Sequence, residues 1–279
     1  MKASYCTLIY EGNELLNALE DVKRAGYQGI ELYPKDWRWA LDRYSLDEFG
    51  DVLHRFDLSV TGVMGGVLNE QKDLEAFGEA VNIAAAIGCP NVFFVAAAKP
   101  ACEYNEFIRL AKEAAAYAAR MGLTALLHHH AGTLAETMAQ TRNIAESVDM
   151  DNFAICFDSV HFALFEKDLP GSVLALGDLI RYVHLKDIKK DREVILRGVP
   201  ASDLTWENLD YIAQEYTGLG EGTIDTEEVA HTLLDMGYEG WWVIEIERQE
   251  YARKEHAEKN LKRLRKYFHS YENQRQSKS

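Results

Sequence analysis

No stretch of this 279-residue chain reaches the roughly 18 consecutive apolar residues that a membrane-spanning helix needs, so no membrane partner is expected. The first residues, MKASYCTLIYEGNELL, hold a lysine but no long apolar stretch and no small-residue cleavage site. A cytoplasmic protein is therefore expected. Prolines number five, too few for a linker-rich or low-complexity chain. The four cysteines, Cys6, Cys89, Cys102 and Cys156, are scattered without a CxxC pair, as suits reduced, packed thiols in a reducing compartment. Positive charge is scarce too: 30 Lys and Arg face 45 Asp and Glu, for a net charge of -15. That balance repels a phosphate backbone and argues against nucleic acid as a partner. A cation is electrostatically easy to hold.

Hydrophobic residues make up 47% and charged residues 27%, an ordinary soluble composition. The length is close to the ~250 residues of a (β/α)8 barrel closed around one core. The hydrophobic period alternates along the chain. Extended segments are predicted at Tyr5–Tyr10, Gly29–Tyr33, Ser59–Met64, Asn91–Val95, Thr124–His128, Phe153–Asp158, Arg181–Lys186 and Trp241–Glu245, each followed by a helical pattern. Several helices stop at a glycine that leads into a strand, as at Ala25-Gly26-Tyr27 and Met121-Gly122-Leu123. Eight alternating βα units imply an α/β fold, a single-domain (β/α)8 TIM barrel over residues 1–272, followed by a polar, flexible tail over 273–279. The longest interruption, Ile188–Thr223, follows the seventh strand and is expected over the active mouth. The last helix is expected from about Glu250 to Tyr271.

Four of the strands end on metal-ligand side chains: ALLHHHAG at His128 or His130, ICFDSVH at Asp158, YVHLKD at His184 and GWWVIEIE at Glu245. Side chains alternate along a strand, so parity tests which of them share a site. Asp158 shares a face with Cys156 and Ala154, His184 with Lys186, and Glu245 with Val243 and Glu247. His128 and His130 share one face while His129 points the other way. Acidic residues after apolar runs need a partner. A lone strand-end histidine is ordinarily a hydrogen-bonded structural residue, but four such ends at separate strands point to one metal site of His128 (or His130), Asp158, His184 and Glu245.

These residues resemble the sugar isomerase/epimerase superfamily with the xylose isomerase-like TIM barrel. The likeness rests on DSVH at Asp158–His161, HLKD at His184–Asp187, GEG at Gly220–Gly222 and the last strand Gly240-Trp241 to Glu245. Within it, HHHAGT at His128–Thr133 and GWWVIEIE look most like inosose dehydratases. The resemblance implies a divalent-metal-dependent lyase that removes water from a keto-inositol or related keto-polyol, by enolate-type proton abstraction. Epimerase members carry a glutamate where His128 stands. With that carboxylate replaced by imidazole, two carboxylates just neutralise a 2+ ion, and two nitrogens favour Mn, Co, Fe or Zn over Mg.

Catalytic candidates are His128, His130, Glu245 and Glu247 as bases, with His161 to bind or protonate a hydroxyl or to orient Asp158. Glu31, at the end of the second strand, Trp37 in the following loop and Lys186 are candidate substrate contacts, each with a plain packing or ion-pairing alternative. The main rival is a ketose isomerase or 3-epimerase on the same site, with Glu31 or Glu136 supplying the missing carboxylate. A metal-dependent nuclease would carry a basic groove, and a non-enzymatic binding barrel would not need a polarising ion. A homo-oligomer is compatible with the sequence.

Overall fold

The computed structural model describes residues 1–197, 203–205, 209–247 and 253–278. Its strands are β1 Lys2–Cys6, β2 Gly29–Leu32, β3 Ser59–Val67, β4 Asn91–Val95, β5 Thr124–His128, β6 Phe153–Asp158, β7 Ile180–Leu185, β8 Asp187–Ile188, β9 Tyr216–Thr217 and β10 Trp241–Ile244. All except β8 and β9, which pair antiparallel with each other, close into a parallel barrel in the order β1-β10-β7-β6-β5-β4-β3-β2. The helices are α1 Leu15–Ala25, α2 Pro34–Leu41, α3 Leu46–Arg55, α4 Asp73–Ala86, α5 Tyr104–Arg120, α6 Met138–Val148, α7 Ser159–Ala163, α8 Leu169–Leu176, α9 Arg192–Leu196, α10 Asp210–Ala213, α11 Thr226–Asp235 and α12 Arg253–Lys278. The sequence therefore folds as the expected TIM barrel.

Covered on one face by helices and on the other by the barrel interior, the strands read as apolar runs because both faces are buried. Residues Phe107, Leu110, Ala111, Ala114, Ala115 and Ala118 recur at helical spacing and give α5 one buried stripe. At the end of α1, Gly26 adopts φ 95°, and its N–H bonds the carbonyl of Lys23, turning the chain into β2. Inside the barrel a compact layer of Cys6, Met64, Phe93, Cys156, Tyr182 and Val243 forms an apolar floor. A separate small core, including Val160, Ile188, Leu196, Ile212 and Tyr216, lies under the segment after β7.

Three local expectations change. The first strand ends at Cys6, not Tyr10, because Cys6 Sγ accepts the Leu8 N–H while Thr7 Oγ1 donates to Glu31 O, drawing the chain into a short 3-10 turn. The expected loop after β2 is helix α2, started by Pro34 and by Asp36 Oδ2 accepting the Tyr33 N–H at 2.8 Å. The last helix continues to Lys278, beyond Tyr271. Its expected start at Glu250 lies outside the described residues, as do 198–202 and 206–208 of the long interruption.

Candidate metal centre

Register brings the strand ends together. His128 stands opposite Cys156 on β6, Asp158 opposite His184 on β7, and His184 opposite Val243 on β10, with Glu245 just past the end of β10. One ligand atom from each of His128, Asp158, His184 and Glu245 lies within 4.8 Å of all the others, and all four residues are buried.

The DSVH motif has a local cause. Asp158 is the N-cap of α7: its Oδ1 accepts the N–H groups of Val160 and His161, both at 2.9 Å. Capping occupies one oxygen and turns the other inward. Oδ2 lies 3.5 Å from His128 Nε2, 3.9 Å from His184 Nδ1 and 3.1 Å from Lys186 Nζ. Ser159 clamps the neighbouring strand, its Oγ donating to Lys186 O at 2.6 Å and accepting the Lys186 N–H at 3.0 Å.

His184 is held from both sides. Nε2 meets Glu31 Oε2 at 2.8 Å and Nδ1 meets Glu245 Oε2 at 3.0 Å. Burial works against a charge on this imidazole, yet the Cys156 thiol and the two carboxylates hold it well above its usual range. Glu245 Oε1 accepts a 2.9 Å bond from the Tyr33 hydroxyl, leaving Oε2 toward the cluster. The buried Lys186 ammonium lies 2.8 Å from Glu247 Oε1, 3.0 Å from Glu245 Oε2 and 3.3 Å from His161 Nε2, with the Tyr216 ring 4.8 Å away. Burial opposes this charge as well, but Asp158, Glu245 and Glu247 raise its pKa well above the lysine range. Burial likewise opposes ionisation of Asp158 and Glu245, and Lys186 reverses the balance, holding both carboxyls below the usual range. Glu247 differs: burial, aided by the charge of Glu245, keeps its carboxyl above the usual range despite Lys186.

The three histidines of β5 separate by parity. His128 faces the cluster, and neither of its buried ring nitrogens has a hydrogen-bond partner. His129 points away, stacks on Phe162 with ring centroids 3.4 Å apart, and accepts the Asp158 N–H on Nε2 at 2.8 Å. His130 packs on the His161 ring at 3.6 Å and places Nδ1 2.8 Å from Ala131 O. Burial first, then His128, lowers His130 to about 3. Burial and His130 likewise hold His161 well below its usual range.

Two candidate substrate contacts are engaged by the protein itself. Trp37 is 1% exposed in the core, its indole N–H donating to Met64 O at 3.1 Å, because α2 turns that face inward. No stacking surface is left for a substrate. Glu31 is fully buried behind His184 rather than at the mouth. Glu136 pairs with Lys99 at 2.7 Å and accepts the Gly132 N–H at 2.9 Å, so it is committed to the β5 loop. Asp187 of HLKD binds the GEG segment, accepting N–H groups of Gly222 at 2.9 Å and Ile224 at 3.1 Å. Tyr33 and Tyr216 join the site unannounced, and Cys156, expected only to share the face of Asp158, joins it as well. Parity with Glu31 was the available signal for Tyr33, and parity with Asp158 for Cys156; Tyr216 lies in the aperiodic interruption and carried none.

The donor set suits a divalent ion. Both His128 nitrogens are buried without a hydrogen-bond partner, a costly state that coordination relieves, and Asp158 Oδ2 faces them with an ion pair to Lys186 at 3.1 Å. Three carboxylates, Asp158, Glu245 and Glu247, face the one ammonium of Lys186, so a 2+ ion offsets an excess of negative charge.

A family model described as xylose isomerase-like TIM barrel matches residues 19–267. An inosose dehydratase of Mesomycoplasma hyopneumoniae (strain 7448) is 26% identical over 271 residues, covering 85% of this chain and 85% of that protein. Among solved structures, the IolI protein with a bound zinc atom superposes with a TM-score of 0.81 at 18% identity, covering 97% of this chain and 99% of the other. The probable 3-DHS dehydratase AsbF of Bacillus anthracis, involved in petrobactin synthesis, gives 0.77 at 19% identity, covering 95% and 98%.

Proposed function

From the premise that this chain belongs to the xylose isomerase-like TIM barrel family, we propose that it is a metal-dependent dehydratase of a keto-inositol or related keto-polyol. The carrying observation is the buried convergence of His128, Asp158, His184 and Glu245, within which both nitrogens of His128 lack a partner. A divalent ion held by these four residues supplies Lewis-acid polarisation of a substrate carbonyl, which makes the neighbouring C–H acidic.

The remaining chemistry belongs to side chains. Glu247 is the base: its side chain is 21% exposed, against 0% for Lys186 and 2% for Glu245, and its raised carboxyl pKa brings it toward the operating pH. The C–H bond breaks toward Glu247, its electron pair forms the new double bond, and the C–O bond to the β-hydroxyl breaks. Glu247 passes the abstracted proton to that leaving hydroxyl, so water departs and the carboxylate is restored. Lys186, 2.8 Å from Glu247 Oε1, holds that carboxyl in place throughout. Net change is the loss of one water.

The isomerase reading needs a second carboxylate opposite Glu245. Its two candidates are engaged, Glu31 with His184 and Glu136 with Lys99, and the named dehydratase relative supports the lyase. Metal-reconstituted protein incubated with a panel of keto-inositols and ketohexoses is expected to yield products lighter by one water from an inosose. Products of unchanged mass from every accepted substrate would establish the isomerase instead.

Glu31 acts at one remove, fixing the imidazole that coordinates. Once Nδ1 gives up its proton, a carboxylate accepting from Nε2 keeps the Nδ1 lone pair directed toward the cluster. Glu31→Leu is expected to weaken metal affinity ~10–100-fold, the loss typical when such a support is removed. Glu31→Gln, which keeps a carbonyl acceptor, should retain most of it. Chelator-competition titrations make the comparison, and equal affinity in Glu31→Leu and the parent would remove Glu31 from this role.

A further inference from the structure

Two metal-ligand sets overlap among the described residues of this barrel, and the thiol of the second has no part in the chemistry above. His128, Cys156 and His184 also bring one ligand atom each within 4.8 Å of one another. Cys156 is a free, fully buried thiol on β6, in register with His128. It shares a face with Asp158 two residues on, which places its Cα deeper in the barrel by roughly 6–7 Å of strand rise, while its sulfur still reaches the two histidines. The apolar floor around it includes Cys6, Met64, Phe93 and Val243, and the neighbouring carboxylate of Glu31 is engaged with His184 Nε2 at 2.8 Å. His128, 2% exposed and without a hydrogen-bond partner on either nitrogen, stands between the two sets.

We propose that His128, Cys156 and His184 form a second, deeper position for a thiophilic divalent ion, overlapping the four-residue position on which the proposed function rests. Two imidazoles and a sulfur are a soft donor set that suits zinc or cobalt, whereas the carboxylates of Asp158 and Glu245 suit harder ions such as manganese. Both positions use the same two histidines, so a single ion occupies one or the other. On binding at the deeper position the thiol loses its proton to solvent as the metal–sulfur bond forms. An ion held there exchanges Asp158 and Glu245 for the sulfur while keeping the two histidines, so the choice of metal selects between two coordination arrangements.

The test compares zinc, cobalt and manganese forms of the full chain by X-ray absorption at the metal edge. The zinc form is expected to show a sulfur scatterer at about 2.3 Å, and the manganese form only oxygen and nitrogen. The cobalt form should carry a near-ultraviolet sulfur-to-cobalt charge-transfer band. Cys156→Ser should erase both sulfur signatures and weaken zinc at least tenfold, while manganese affinity stays within about threefold. Cys156→Ala, checked for a parental melting temperature without metal, guards against a folding artefact. A zinc form without sulfur scattering, or Cys156 variants with parental zinc affinity, would overturn the deeper position. Asp158→Asn reports on the other reading separately: manganese bound as tightly as by the parent would remove the four-residue position while leaving the zinc–sulfur result to stand alone.

Discussion

His128→Ala is expected to abolish metal-dependent turnover and to remove the stabilisation that added metal gives the parent, without weakening the metal-free fold. The reasoning starts from unsatisfied groups. In the metal-free chain neither nitrogen of this buried imidazole has a hydrogen-bond partner, so deleting the ring removes two desolvated polar atoms and offsets much of the cavity left behind. With metal the sign reverses, because the ring is one of four ligands. An ion at ~100 times its dissociation constant stabilises the protein that holds it by about 2.7 kcal/mol, a rise of several degrees in melting temperature. Parent and variant melted with metal and with chelator give the answer: the parent should shift and the variant should not. An unchanged metal-induced shift in His128→Ala would exclude it as a ligand.

His129→Ala is the instructive comparison. On parity alone it should leave metal binding nearly intact, and its ring does lie on the other face. The structure adds that His129 Nε2 accepts the Asp158 N–H at 2.8 Å. Its loss leaves that buried N–H unsatisfied, at a cost of about 1–3 kcal/mol, so stability should fall in the metal-free protein too. The two variants therefore separate by whether the defect is present without metal.

What could be read from the sequence followed from periodicity. Alternating strand and helix patterns, and apolar runs that stop on His128, Asp158, His184 and Glu245, depend on side-chain period and burial alone, and those four ends do meet at one mouth. Long-range register stayed hidden. That Glu31 reaches across to His184, or that Tyr33 meets Glu245, depends on how β1, β2, β10 and β7 are staggered around the closed barrel. Trp37 was misplaced because Pro34 and Asp36 start a helix where a loop was expected, and a helix turns its apolar residue to the core. Tyr216 comes from β9, a two-residue strand too short to impose any period.

Replacing the two acids at the end of the last barrel strand should split coordination from proton transfer. Glu245 and Glu247 lie two residues apart in the chain, and Lys186 binds both, at 3.0 and 2.8 Å. Their surroundings differ in ways that set their work. Glu245 is 2% exposed, fixed by Tyr33 on one oxygen, and kept ionised by Lys186 and His184 against the cost of burial. Glu247 is nearer the mouth and its carboxyl is raised by burial and by the charge of Glu245. Glu245→Gln removes one of only two ligand charges that neutralise the ion, so metal affinity itself should fall. Glu247→Gln should keep the metal and lower turnover ~10²–10⁴-fold, the range for a lost acid–base group, with the residual rate no longer rising as a carboxyl ionises. Metal content measured beside turnover distinguishes the two variants. Parental turnover in Glu247→Gln with every accepted substrate would return the proton-transfer role to His161 and the histidines of β5.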